Sequence, residues 1–255
     1  MKYSLSFLLL WLPVMWLAAQ TRTVHVMVAL CDNETQGIVP VPASIGKGDD
    51  PDRNLYWGAG YGVKTFLDKR TADWVLVKKL ESDYSYILDR RLFKHRTQDV
   101  YLLAEAYHGA HMKDCLEDFL HAADGQGARV ECTSDGEKLY FGGKANVLSF
   151  IGHNGLMDVQ PDVSFREAKT LRPKVIILGC YSKMYFEPYI QQAHTKALLW
   201  TTHLMAPEAY TLKAALDGWM REESGQQIRE RAAQAYHQYQ KCGIRGARNL
   251  FATGM

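Results

Sequence analysis

Five short apolar runs constrain this 255-residue chain more than any other feature. They cover residues 24–30 (VHVMVAL), 100–107 (VYLLAEAY), 146–152 (NVLSFIG), 174–179 (KVIILG) and 197–202 (ALLWTT). Each is too short for a typical helix and nearly continuous in hydrophobicity, as a strand covered on both faces must be. Helical patterns alternate with them. Residues 111–123 set Met112, Cys115, Leu116, Phe119 and Leu120 on one stripe. Residues 207–221 begin with Pro207 and align Leu212, Ala215, Leu216, Trp219 and Met220. A further helix opens with Ser224 and Gln227 at capping-box spacing and aligns Ile228, Ala232, Tyr236 and Tyr239. Alternating strands and helices predict an α/β fold, a mainly parallel sheet with helices on both faces.

Two β-hairpins read as grafted onto this fold. One joins residues 74–80 to 86–93; the other joins 130–133 to 138–141 through Asp135-Gly136, a favoured hairpin turn. Residues 31–62 have a different texture, with Pro40, Pro42 and Pro51 among several glycines, and read as a long ordered loop leading to a helix near residues 61–69. Gly58, Gly60 and Gly62 follow no strand and are spaced GxGxG, so they do not form a dinucleotide fingerprint.

Residues 1–20 place Lys2 before an apolar run and end in Ala18 and Ala19, the pattern of a cleaved signal peptide. The run is shorter than the roughly 20 residues a membrane-spanning helix needs. A secreted or periplasmic single domain over residues 21–255 is the expectation, with no membrane association after cleavage. Thirty Lys and Arg against 28 Asp and Glu leave a formal charge of +2, which implies neither a nucleic-acid nor an anionic-surface partner. The five cysteines are an odd number, so at least one thiol is left over even if the others pair.

In an open parallel sheet the carboxyl ends of the strands form the ligand crevice. The residues there are Cys31 and Asp32, then His108 and His111, then His153-Asn154-Gly155, then Cys180, and finally His203. His153 and Cys180 form the sharpest pair, each closing an apolar strand at a glycine-flanked turn. A thiol beside an imidazole can act as a nucleophile, the imidazole can protonate a leaving amine, and glycine-rich turns leave N–H groups free for an oxyanion.

The segments VLSFIGHNG (147–155) and KVIILGCYS (174–182) resemble the His and Cys strand ends of the caspase-like, clan CD cysteine peptidases. Residues 197–216 look like the strand, turn and helix that follow the nucleophile in bacterial members. The interval from His153 to Cys180 leaves room for a crossover helix over residues 164–171. The resemblance implies a cysteine hydrolase of peptide or protein substrates, with Cys180 as nucleophile, His153 as proton donor and backbone N–H groups near Gly155 and of Cys180 as the oxyanion hole. It implies no metal or organic cofactor. One alternative is a zinc site gathering His108, His111 and His203. Another is a non-catalytic secreted binding module of caspase-like fold, using Tyr56, Trp57 and Tyr61 as a contact surface.

Overall fold

The computed structural model describes residues 21–127, 130–166 and 172–254. The signal-peptide reading of residues 1–20 lies outside them. The chain forms an α/β fold around one eight-stranded sheet, with a separate two-stranded sheet beside it. In chain order the strands are β1 (Arg22–Ala29), β2 (Trp74–Lys79), β3 (Ile87–His95), β4 (Val100–Tyr107), β5 (Glu131–Ser134), β6 (Glu137–Tyr140), β7 (Val147–Ile151), β8 (Lys174–Leu178), β9 (Ala197–Thr201) and β10 (Phe251–Ala252). The large sheet runs β10-β9-β8-β7-β1-β4-β3-β2. Its middle, β4, β1, β7, β8 and β9, is parallel and consists of the five apolar runs.

The helices are α1 (Val63–Thr65), which continues as a π-helical turn over Phe66–Arg70, α2 (Met112–Ala123), α3 (Ser182–Gln192), α4 (Ala209–Met220), α5 (Gly225–Gln240) and α6 (Ile244–Leu250). Side chains alternate across β1: Val24, Val26 and Val28 enter the core beneath α4, α5 and α6, whereas Met27 and Ala29 enter the core beneath α2 and α3. Both faces are therefore covered, which is why these strands are mostly apolar instead of alternating with polar residues. Burial of each such Val, Leu or Phe stabilises the fold by about 1.5–3 kcal/mol. The Ser224 capping box forms as the spacing predicts, with reciprocal bonds to Gln227.

The first hairpin differs from the expectation. It is no appendage: β3 pairs antiparallel with β4 and β2 pairs with β3, so the hairpin extends the large sheet at the free edge of β4. The second is a separate ribbon, and its turn has positive φ at both Asp135 and Gly136, as a type I′ turn requires. It packs Leu139 and Phe141 on Leu92, Tyr101 and Leu103 of the sheet. Among the described residues of the anticipated 164–171 helix, Ser164, Phe165 and Arg166 have no regular structure, and the rest lie outside the description.

Helix α3 carries no forecast from the periodicity above, although Phe186, Ile190 and Ala193 stand at i, i+4 and i+7 and are all buried. Pro188 inside it interrupts the pattern, since proline cannot donate to the preceding turn. Phe186 nevertheless packs its ring on Phe119 and Phe150, and this tertiary contact holds the helix.

Candidate active site at the ends of the parallel strands

The parallel strands lie in the order β4-β1-β7-β8-β9, so successive connections leave β1 on opposite sides and the topological switch falls between β1 and β7. A crevice opens at the carboxyl ends of strands flanking such a switch. His153 stands two residues beyond β7, at that point, and Cys180 stands two residues beyond the adjacent strand β8.

Glycines bring the two turns together. A side chain at Gly179 would place its Cβ 3.1 Å from the Gly152 carbonyl oxygen, and one at Gly152 would lie 2.8 Å from the Ala29 oxygen. Asn154 then ties them: its Nδ2 donates to the Cys180 carbonyl at 2.7 Å, and its Oδ1 accepts from Leu156 N at 3.3 Å. Asn154 is fully buried, so this side chain is an internal clamp between the two strand ends.

Cys180 leads into α3 through Tyr181, whose φ of 49° and ψ of 30° are left-handed. The chain thus turns sharply from strand to helix. Tyr181 N donates to the His203 carbonyl at 3.0 Å, and the Ser182 hydroxyl donates to Ile177 O at 2.9 Å while accepting from Thr201 N at 2.9 Å. The Thr201 hydroxyl also donates to Gly179 O. This bonding fixes Cys180 at the N-terminal end of α3, where the helix dipole favours negative charge.

The Cys180 thiol is partly exposed and rests on the segment after β9, with Sγ 3.5 Å from Met205 N and 3.7 Å from Met205 O. No hydrogen bond joins it to the His153 ring among the described residues. His153 is buried, and its Nε2 lies 2.6 Å from Asp158 Oδ2. Gly37 N donates to the same oxygen at 3.3 Å.

The Gly155 expectation requires correction. Its N–H donates to the His153 carbonyl at 2.9 Å and is spent within the turn, and its Cα faces α2, where a Cβ would come within 2.2 Å of Met112 Cγ. Gly155 is therefore a packing residue. Among the described residues, the amide N–H groups of Asn154 and Cys180 have no hydrogen-bond acceptor, and they stand on the two clamped turns. The sequence places Asn154 at the strand end directly after His153 without a role of its own; its bond to the Cys180 carbonyl is what the structure adds.

The remaining strand-end histidines bond within their own turns. Cys31 is buried, and burial pushes its thiol up to about 11. His108 Nδ1 accepts from Ala110 N at 3.1 Å, His111 Nδ1 lies 2.9 Å from Asp114, and His203 Nδ1 lies 2.8 Å from the Thr202 hydroxyl. No group of three metal-binding side chains occurs among the described residues, so His108, His111 and His203 do not assemble the alternative zinc site. Tyr56 and Trp57 are buried, with the Trp57 indole donating to Asp89 at 3.0 Å, which removes them from any contact surface. Gly58 and Gly62 pack on backbone of their own loop. All five cysteines are free, including Cys132 and Cys242, so the leftover thiol of the odd count is one of five.

A cleft of about 490 Å³ opens beside the ends of β1 and β4, lined by Asp32, Glu34, Lys47, Gly48 and His108 among others. It contains neither Cys180 nor His153. No described helix is long and apolar enough to cross a membrane. Comparison with protein-family models, curated proteins and solved structures returns no match to the chain.

Proposed function

We propose that the chain is an exported, caspase-like cysteine hydrolase that cleaves a peptide or another amide, with Cys180 as nucleophile and His153 as the proton donor to the leaving amine. The observation that carries this reading is the Asn154 Nδ2 bond to the Cys180 carbonyl, which makes the ends of β7 and β8 one rigid unit beside the switch point. The parallel order β4-β1-β7-β8-β9, with His153 preceding Cys180 on adjacent strands, supports a caspase-like arrangement.

The chemistry follows from the groups present. Cys180 Sγ, as thiolate, attacks the substrate carbonyl carbon while the thiol proton passes to the imidazole. The developing oxyanion takes a hydrogen bond from the N–H group of Cys180. The C–N bond breaks as His153 returns the proton to the departing amine, leaving a thioester on Cys180. Water then attacks the thioester, with His153 accepting its proton, and releases the carboxylate and the thiol. A peptide or protein chain is the proposed substrate, and the near-neutral net charge leaves selectivity to local contacts. Export is proposed from residues 1–20, with a mature chain beginning near Thr21.

The test uses the protein's own thiols as internal standards. Cys242 is exposed, Cys180 is partly exposed, and Cys31 and Cys115 are buried. Iodoacetamide labelling of the folded protein, mapped by mass spectrometry, should modify Cys180 faster than Cys242 and leave Cys31 and Cys115 untouched. A Cys180 no more reactive than Cys242, together with identical behaviour of wild type and Cys180→Ala on a fluorogenic peptide library, would overturn the hydrolase reading.

A further inference from the structure

We infer that Asp158 is a positioning residue that holds the His153 ring in its Nε2–H tautomer, and that the segment following β1 holds Asp158 in turn through Gly37. The inference deepens the hydrolase reading and rests on it for the role of His153.

A carboxylate only accepts, so the 2.6 Å contact between His153 Nε2 and Asp158 Oδ2 puts the proton on Nε2 and leaves the Nδ1 lone pair bare. A bare Nδ1 is the atom that can take a proton and later give it to the leaving amine. When it does so, the ring's second N–H remains directed at the Asp158 carboxylate. The ring has little solvent to compete for that bond: the His153 side chain is 7% exposed and that of Asp158 34%.

Two sets of bonds determine where the carboxylate sits. One is local. Met157 N donates to Asn154 O at 3.0 Å and Asp158 N to Gly155 O at 3.0 Å, so the short 3₁₀ turn after Asn154 folds Asp158 back onto the ring five residues earlier. The other comes from the far side of the crevice. Gln36 is buried, and its Nε2 donates to Leu30 O at 2.8 Å and to Gly109 O at 3.1 Å, which anchors it to the ends of β1 and β4. The next residue, Gly37, donates its N–H to Asp158 Oδ2 at 3.3 Å. Its Cα also closes on the carboxylate, since a Cβ there would lie 2.8 Å from Oδ1. A continuous path thus runs from the ends of β1 and β4 through Gln36, Gly37 and Asp158 to His153.

The experiment reads the ring directly. Side-chain ¹⁵N NMR of the full-length protein at about pH 8.5, above the ordinary imidazole range, reports the tautomer of each neutral histidine. His153→Gln assigns the signal. Wild type should show His153 as the Nε2–H form, Asp158→Ala should mix the tautomers, and Asp158→Glu should restore the single form. Gly37→Ala, which displaces the carboxylate without removing it, should give a partial mixture. On a cleaved peptide, Asp158→Ala should lower kcat by about 10–100-fold with KM little changed, as misplacing a catalytic group does. Unmoved His153 signals in Asp158→Ala would overturn the inference, even if that variant lost stability. Unmoved signals in Gly37→Ala alone would overturn the Gly37 half. The ring measurement needs no turnover. If Cys180→Ala matches wild type on peptides while Asp158→Ala still mixes the tautomers, it is the hydrolase reading that fails.

Discussion

Asp118 should be a source of instability at neutral pH, and replacing it should strengthen the protein. It sits on α2 with its Oδ2 3.0 Å from the Tyr107 hydroxyl, beside the fully buried Glu105. Burial pushes its carboxyl up from 3.8 to about 6; the Tyr107 hydrogen bond opposes this and the Glu105 charge adds to it. A raised acid binds its proton more tightly in the folded than in the unfolded state. Between about pH 4 and pH 6 the folded state therefore carries more protons, and stability falls as pH rises through that window. A shift from 3.8 to about 6, at 1.36 kcal/mol per unit, corresponds to a cost of about 3 kcal/mol above pH 6, and partial solvent contact of Asp118 reduces it to about 1–2. Asp118→Asn removes the charge and keeps an oxygen to accept the Tyr107 O–H. Urea denaturation at about pH 8 should show the variant more stable by about 1–2 kcal/mol, and near pH 4, where the acid is protonated, the difference should vanish. Equal or lower stability of the variant at pH 8, or a gain that did not change with pH, would refute the reasoning.

Two other substitutions separate packing from chemistry. Gly155→Ala drives a Cβ to within 2.2 Å of Met112 Cγ and 2.6 Å of its sulfur, so it should cost about 1–3 kcal/mol in denaturant melts by overpacking. Turnover by the molecules that remain folded should persist, because its N–H is already given to the His153 carbonyl. Glu105→Gln should be the more damaging change. The Glu105 carboxylate receives His25 Nε2 at 2.9 Å and Arg90 Nε at 2.5 Å; burial opposes its charge, but these partners hold it below the usual carboxylate range. Removing the charge leaves the buried Arg90 unpaired at a cost of about 3–5 kcal/mol, measurable as a lowered denaturation midpoint at neutral pH.

The five parallel strands were legible because burial on both faces writes itself as near-continuous hydrophobicity, and β4 matches its run residue for residue. The Ser224 cap and the Asp135-Gly136 turn were legible for a different reason: each is a contact among residues within four of one another. Helix α3 was not, because its stabilising contacts are Phe119 and Phe150, distant in sequence, and Pro188 breaks its local pattern. Nor could the chain reveal that the β2–β3 hairpin joins the large sheet. A strand pairs wherever an edge is open, and the open edge of β4 exists only once the sheet has formed.

His153 and Cys180 can be selected from the linear chain, since each follows a strand that hydrophobicity alone identifies and carries chemistry that few side chains have. Their neighbours cannot. Asn154 became a clamp on Cys180, Gly155 became a contact for Met112, and Asp158 met both His153 and Gly37. The five thiols likewise sorted into buried and exposed without pairing. The Asp158 contact with His153 comes from a local turn, but strand order and the close approach of turns set the other partners, and both arise from long-range packing, which no local stretch of residues encodes.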